Sequence, residues 1–309
     1  MIFAARDILV CLAFFAIVYA LLSSLALIIW KTVRNTGQDS VLRSANFLFG
    51  LRIFPLAFSV IVTVFLTLPS FWMMERHSPD EDGETFFLAL CAAVIVCAGI
   101  ARVWKAHVKT TRALAIWICE ETINETIKTA AYASTVTPPL VLIGVRKPRV
   151  LISETALSVL SDSEMRVAIQ HELKHKDSGD NLKKLLINAI PFPGMRSLDK
   201  AWREAAELAA DSAAVTNRRE ALDLAAALIK LSKFIQRQSI PPLVTGFVAE
   251  AAFTTLRVEC LLKWNEKNSR NKYSRILFLT ILIATVALVA ANYQMTLTLT
   301  HRLTEILVP

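Results

Sequence analysis

The sequence predicts a mostly helical α+β membrane protein, with four transmembrane helices and a cytoplasmic domain, carrying a small β-sheet, inserted between the third and the fourth. Three observations predict it. Hydrophobic residues make up 54% of the 309 residues and the mean hydropathy is +0.48, too apolar for an ordinary water-soluble globule. Four long apolar runs are separated by segments of alternating charge sign. The polar stretch between the third and fourth runs is about 170 residues long, enough for one compact domain.

The first apolar run, Ile8 to Trp30, is about 23 residues long and can cross a ~30 Å hydrocarbon core as a helix. It lacks a basic leader and a small-residue cleavage site, so it is expected to be retained. The second run spans Ile53 to Met74, with Pro55 and Pro69 near its ends. The third spans Thr85 to Trp104, with Arg102 placed to snorkel to the interface. The fourth, Ile276 to Tyr293, is the shortest. Lys31, Arg34, Arg43 and Arg52 mark the first loop as cytoplasmic, whereas Glu75, Asp80, Glu81, Asp82 and Glu84 leave the second outside. Lys105, Lys109 and Arg112 follow the third span, and Arg270, Lys272 and Arg275 precede the fourth. Both ends of the middle segment are therefore expected in the cytoplasm and both termini outside. The expected division is residues 1–104 for three spans, 105–275 for the cytoplasmic domain, and 276–309 for the fourth span and a short extracellular tail.

The net charge of +8 follows this orientation pattern. No basic module interleaved with aromatic residues points to direct nucleic-acid binding. The five cysteines form no C-x-x-C pair and suggest no disulfide framework. Four spans without clustered intramembrane ionisable residues provide little for a transport path.

Within the middle segment, Ala113 to Tyr132 has a helical pattern. Leu140–Val145 and Arg149–Ile152 read as short strands about the turn Arg146-Lys147-Pro148. From Ser161 the pattern is mostly helical, broken at Pro191–Gly194 and Pro241-Pro242. Ser161-Asp162-Ser163-Glu164 has the form of a capping box. The helix it opens carries His171-Glu172-Leu173-Lys174-His175.

Two histidines at i and i+4 project from one helical face about a turn apart, so their ring nitrogens can converge on one Zn2+ at ~2.0–2.1 Å. Glu172 can face the open coordination position and take a proton from a water there, whose pKa the metal lowers towards ~7. The competing reading is two solvated histidines beside Lys174 and Lys176, so a third ligand is needed. After the Pro191–Gly194 break, Ser197 can cap a second helix that carries Glu204, Glu207 and Asp211. Glu207 and Asp211 share a face at i and i+4, whereas Glu204 has Leu208 at that spacing. This favours Glu207 as the ligand and Asp211 as an acceptor for the non-ligating nitrogen of a zinc histidine. Alanines at 205, 206, 209, 210, 213 and 214 suit close packing of the two helices. Ordinary exposed acids on an alanine-rich helix are the alternative.

His171-Glu172-Leu173-Lys174-His175 followed by Glu207-Leu208-Ala209-Ala210-Asp211 resembles the signature of the glutamate-zincins. The membrane context resembles the BlaR/MecR-type sensor-transducer metallopeptidases, which place three helices before a cytoplasmic zincin-like peptidase domain and one after it. Asp180-Asn181 falls where that family has an Asp-Asn pair. The resemblance implies His171, His175 and Glu207 as zinc ligands and Glu172 as general base, with Asp211 and Asp180 supporting the histidines. It also implies that an extended substrate pairs with an edge strand, expected from Leu140–Val145 or Arg149–Ile152. Arg257 could match a transition-state-assisting Arg of the distantly related HtpX-like and prenyl-protein peptidases, although no His stands where theirs does. An interfacial Arg is the alternative there. The penicillin-binding sensor domain of the β-lactam sensors is not found after the fourth span, so antibiotic sensing by this chain alone is unsupported.

Together these features lead to the expectation of a multi-pass zinc metalloendopeptidase of a bacterial-type inner membrane. It would hydrolyse a cytoplasmic or membrane-proximal protein, a transcriptional repressor being the substrate that the resemblance implies. The bilayer, a homo-oligomer or a separate sensor protein are the other expected partners. A non-catalytic zinc-binding membrane scaffold is the competing function.

Overall fold

The computed structural model describes residues 2–35, 44–70, 83–117, 131–134, 139–145, 148–189, 191–234, 244–246, 251–265 and 293–307. The chain divides into two compact units. The first comprises Met1–Lys31, Leu51–Ala98 and Ser269–Pro309, and the second Thr32–Gly50 and Gly99–Asn268.

Helices α1 (Ile2–Asn35), α2 (Ala45–Val62) and α3 (Gly83–Trp117) are long and apolar. The segments Ile8–Arg34, Ala45–Ser70 and Phe87–Arg112 each have the length and composition to cross a membrane. The expected fourth span and the acidic outer loop, residues 75–82, lie outside the described residues, apart from Tyr293 at the end of that span. In the first unit Val10, Ala13 and Phe14 of α1 pack with Val62 and Leu88, which joins all three helices. Helix α2 continues through a π-helical turn, Thr63–Thr67. Such a turn displaces carbonyls from the regular ladder, and the Phe65 carbonyl accepts a hydrogen bond from the Tyr293 hydroxyl at 3.1 Å.

The second unit holds a four-stranded sheet ordered β1 (Ala131–Ser134), β3 (Arg149–Ser153), β2 (Leu140–Ile143) and β4 (Val244–Gly246). β2 and β3 are antiparallel, with Leu140 opposite Ile152 and Leu142 opposite Val150. Their continuous apolar runs suit strands covered on both faces. This overturns the expectation that one of them is an edge. β1 pairs with β3 and β4 with β2, so the two most apolar strands lie inside and the short, less apolar ones form the edges. Ala131 and Tyr132, expected to end a helix, belong to β1 instead, and the helical pattern from Ala113 is seen as α3 up to Trp117.

Helix α4 (Glu154–Val159) leads to α5 (Asp162–Ser178), α6 (Asp180–Ala189), α7 (Arg196–Ala214), α8 (Arg218–Ser232) and, after β4, α9 (Ala251–Leu262). Leu140, Leu142, Val150 and Ile152 of the sheet form one core with Met165, Ala168 and Ile169 of α5, Leu224 and Leu228 of α8, and Leu261 of α9. Met195, not Ser197, occupies the N-cap of α7 and makes no side-chain cap bond, because the chain enters the helix directly from the Pro191–Gly194 turn. Residues 293–307 form a further helix, α10, where a short tail was expected.

Candidate metal centre

Helix α5 begins as its sequence requires. The Ser161 N–H donates to Glu164 Oε2 at 2.8 Å, and Ser161 Oγ accepts from the Glu164 N–H at 3.4 Å, a complete capping box. The helix ends at Gly179, whose φ of 66° is the left-handed conformation that glycine adopts without steric cost. The resulting sharp turn starts α6 at Asp180, one residue later. Along α5 the buried face carries Met165, Val167, Ala168 and Ile169, followed by His171, Glu172 and His175. These last three are at most 1% exposed. Polar groups buried this deeply need partners.

Helix α7 supplies partners for the two histidines. Its small residues Ala205, Ala206, Ala210 and Ala214 are buried along with Glu207 and Asp211, so the backbone of α7 can approach α5. His171 Nε2 lies 3.1 Å from His175 Nε2 and 3.5 Å from Glu207 Oε2, while His175 Nε2 lies 3.4 Å from Glu207 Oε1. Donors around a tetrahedral ion with ~2.0–2.1 Å bonds stand about 3.3 Å apart. The three side chains therefore have the spacing of a coordination sphere, and their donor atoms all fall within 4.8 Å of one another.

The outer nitrogens explain why the inner ones point to a cation. His175 Nδ1 lies 2.6 Å from Asp180 Oδ2 and His171 Nδ1 lies 2.9 Å from Asp211 Oδ1. A carboxylate next to Nδ1 keeps the proton there and leaves Nε2 as a lone pair. Two lone pairs at 3.1 Å, with a carboxylate across from them, repel unless a proton or a metal ion lies between them.

Arg257 of α9, fully buried, forms a bidentate pair with Asp211. Nε donates to Oδ2 at 2.7 Å and Nη2 to Oδ1 at 2.6 Å. Its Nη1 lies 3.0 Å from Glu207 Oε2, and Nη2 lies 3.4 Å from His171 Nε2. Asn181, next to Asp180, donates from Nδ2 to the carbonyls of Leu142 at 3.3 Å and Gly144 at 2.9 Å. The first turn of α6 thus ties the sheet to His175. Glu204 does not join the group; it lies 3.9 Å from Lys200.

The charges make the same point. Glu172, Asp180, Glu207 and Asp211 are four buried carboxylates. Against them stand Arg257 and the partly buried Lys184, whose charge interacts with Glu207, Asp180 and Glu172. Lys183 Nζ lies 3.4 Å from Asp180 Oδ1, and without a metal a proton on His175 supplies the further positive charge. Burial pushes the Glu172 carboxyl up to about 7 against the pull of both imidazoles, and neither of its oxygens has a hydrogen-bond partner. Burial opposes a charge on His175, but Glu207 and Asp180 outweigh it and lift the imidazole to about 10. Burial also raises Glu207 and Asp211, yet the charge of His175 with that of Arg257 holds the first well below the usual carboxylate range, and Arg257 holds the second down. A divalent ion among the three donors would take the place of that proton. The residues fit one, and Glu172 is a buried carboxylate beside it with its acceptor sites unused.

The seven residues singled out from the sequence, His171, Glu172, His175, Asp180, Glu207, Asp211 and Arg257, thus lie in one cluster. Lys184 was not singled out. Its position one helical turn after Asp180 is the signal that could have placed it there.

A family model described as BlaR1 peptidase M56 matches residues 85–261. No curated protein matches the chain.

Proposed function

The chain belongs to the BlaR1 peptidase M56 family, and on that footing we propose that it is a membrane zinc metalloendopeptidase acting on a cytoplasmic or membrane-proximal protein. The observation that carries the reading is the tetrahedral spacing of His171, His175 and Glu207 beside the unpartnered Glu172 carboxylate. Two imidazoles and a carboxylate are the donor set of a catalytic zinc, which would polarise the scissile carbonyl and lower the pKa of a water.

Glu172 accepts the proton of the attacking water and passes it to the departing amine. A carboxyl shifted up to about 7 is suited to both transfers. Asp180 and Asp211 hold the two imidazoles in the ligating tautomer. Arg257 keeps Asp211 and Glu207 ionised and in place, and its guanidinium would stabilise the negative charge that develops on the oxygen of the scissile carbonyl. Its role as a transition-state stabiliser belongs to this proposal.

An extended peptide is the expected form of the substrate. β4 pairs antiparallel with β2, Leu142 opposite Thr245, and a substrate strand would continue the sheet on that side. A repressor-like protein is the substrate class proposed. The basic loop residues support placing the site on the cytoplasmic side of a bacterial-type inner membrane. A homo-oligomer or a separate sensor protein would bring the signal.

The test uses the full-length chain in detergent or nanodiscs, with zinc measured by elemental analysis and cleavage followed on fluorescent casein. Wild type should bind one zinc and cleave. Glu172→Gln should keep the zinc and lose cleavage by at least about 10²-fold. Equal cleavage by both proteins would overturn the mechanism. Zinc in both with cleavage by neither, on casein and on a peptide library, would favour a non-catalytic scaffold.

A further inference from the structure

Helix α3 does not stop where its apolar segment does. Its 35 residues extend for about 52 Å at 1.5 Å each, well beyond a ~30 Å hydrocarbon core. Its C-terminal half carries Arg102, Lys105, Lys109 and Arg112, all exposed. At 100° per residue these four fall within an arc of about 80°. They lie on a different face from the buried Ala106 and Thr110, and among the described residues none has an ion-pair partner. No acidic residue occurs between Glu84 and Glu120, so the stripe is uncompensated along its own helix. Phe87, Leu90, Val94 and Ile100 before it and Trp104 within it are at least half exposed and apolar, Trp104 at 68%. An exposed Trp between an apolar face and a basic one marks the headgroup level of a membrane.

We propose that this stripe binds the headgroups of anionic phospholipids in the leaflet on its side of the membrane. The charge is complementary and the position follows from the helix, since Arg102 lies inside the membrane-crossing segment and Arg112 ends it. From Arg102 to Arg112 the helix rises about 15 Å, so the outermost guanidinium stays within roughly two Debye lengths of the surface. The bond is charge-assisted, from guanidinium or ammonium to phosphate oxygen, and it does not depend on peptidase activity.

The experiment reconstitutes the full-length chain in phosphatidylcholine bilayers containing trace spin-labelled phosphatidylglycerol or spin-labelled phosphatidylcholine. The motionally restricted fraction of each is read by electron paramagnetic resonance. Wild type should select phosphatidylglycerol by about fivefold, the effect of a single basic contact at an anionic surface, and lose that preference in high salt. The variant R102Q/K105Q/K109Q/R112Q should show no preference, whereas R102K/R112K should keep it. The proposal fails if wild type does not discriminate, or if the quadruple variant discriminates as well as wild type. It also fails if soluble glycerol phosphate displaces the lipid at equal concentration, because the stripe would then read phosphate alone. Should the quadruple variant not fold, the salt titration of wild type and the R102K/R112K variant decide.

Discussion

Arg257 contacts three residues of the centre at once: both Asp211 oxygens, a Glu207 oxygen and the edge of His171. Its planar fork matches Asp211 in a way an ammonium cannot. Arg257→Ala would leave two buried carboxylates short of a cation, and the expected loss is about 3–5 kcal/mol of stability. Denaturant unfolding measures it, and Arg257→Lys should recover less than half. Asp180 acts through His175. Asp180→Asn can no longer hold the proton on Nδ1, so zinc affinity should fall about 10–100-fold in a chelator competition, with the helical content of the protein unchanged. An Asn that binds zinc as tightly as wild type would show that Asp180 does not set the tautomer.

Helices α5 and α3 meet their surroundings in different ways. The start of α5 rests on Glu164, which accepts from the Ser161 N–H and lies 2.8 Å from Lys230 Nζ on α8. Burial raises the Glu164 carboxyl, but the Lys230 and Ser161 bonds outweigh it and hold it below 4.5. A depressed carboxylate stabilises the fold above its unfolded pKa and loses that contribution as pH falls through the lower, folded value. Wild type should therefore lose stability relative to Glu164→Gln as pH falls through the lowered carboxyl value, as read by unfolding midpoints. On α3, a Cβ at Gly99 would meet the Ala189 carbonyl oxygen at the end of α6, and backbone cannot move aside as a side chain can. Gly99→Val should cost about 1–3 kcal/mol through overpacking, seen as a lower unfolding temperature. An unchanged temperature would mean that the two helices do not approach this closely.

At the scale of the whole molecule, a metal held by His171, His175 and Glu207 would be a stability term for the second unit. A ligand that binds only the folded form at a hundred times its Kd adds about 2.7 kcal/mol. Chelation should lower the unfolding temperature of wild type, and adding zinc back should restore it. His175→Ala should show neither change, and a chelator-sensitive His175→Ala would place the stabilising metal elsewhere.

What the sequence determined by itself is local. The first three apolar spans, the capping box of α5, the i and i+4 pairs His171/His175 and Glu207/Asp211, and the break at Pro191 all follow from rules that operate within one or two helical turns. The choice of Glu207 over Glu204 was legible for the same reason. Tertiary structure decided whatever depends on partners distant in the chain. Leu140–Ile143 and Arg149–Ser153 became inner strands because Ala131–Ser134 and Val244–Gly246 pair outside them. A strand of four apolar residues has the same pattern whether or not an edge is left open. Met195 displaced Ser197 at the start of α7 because the preceding turn sets the direction of entry. The convergence of Arg257 and Lys184 on acids contributed by α5, α6 and α7 follows from the low dielectric of the interior. There, each buried carboxylate must find a cation, and only the folded chain shows which one is within reach.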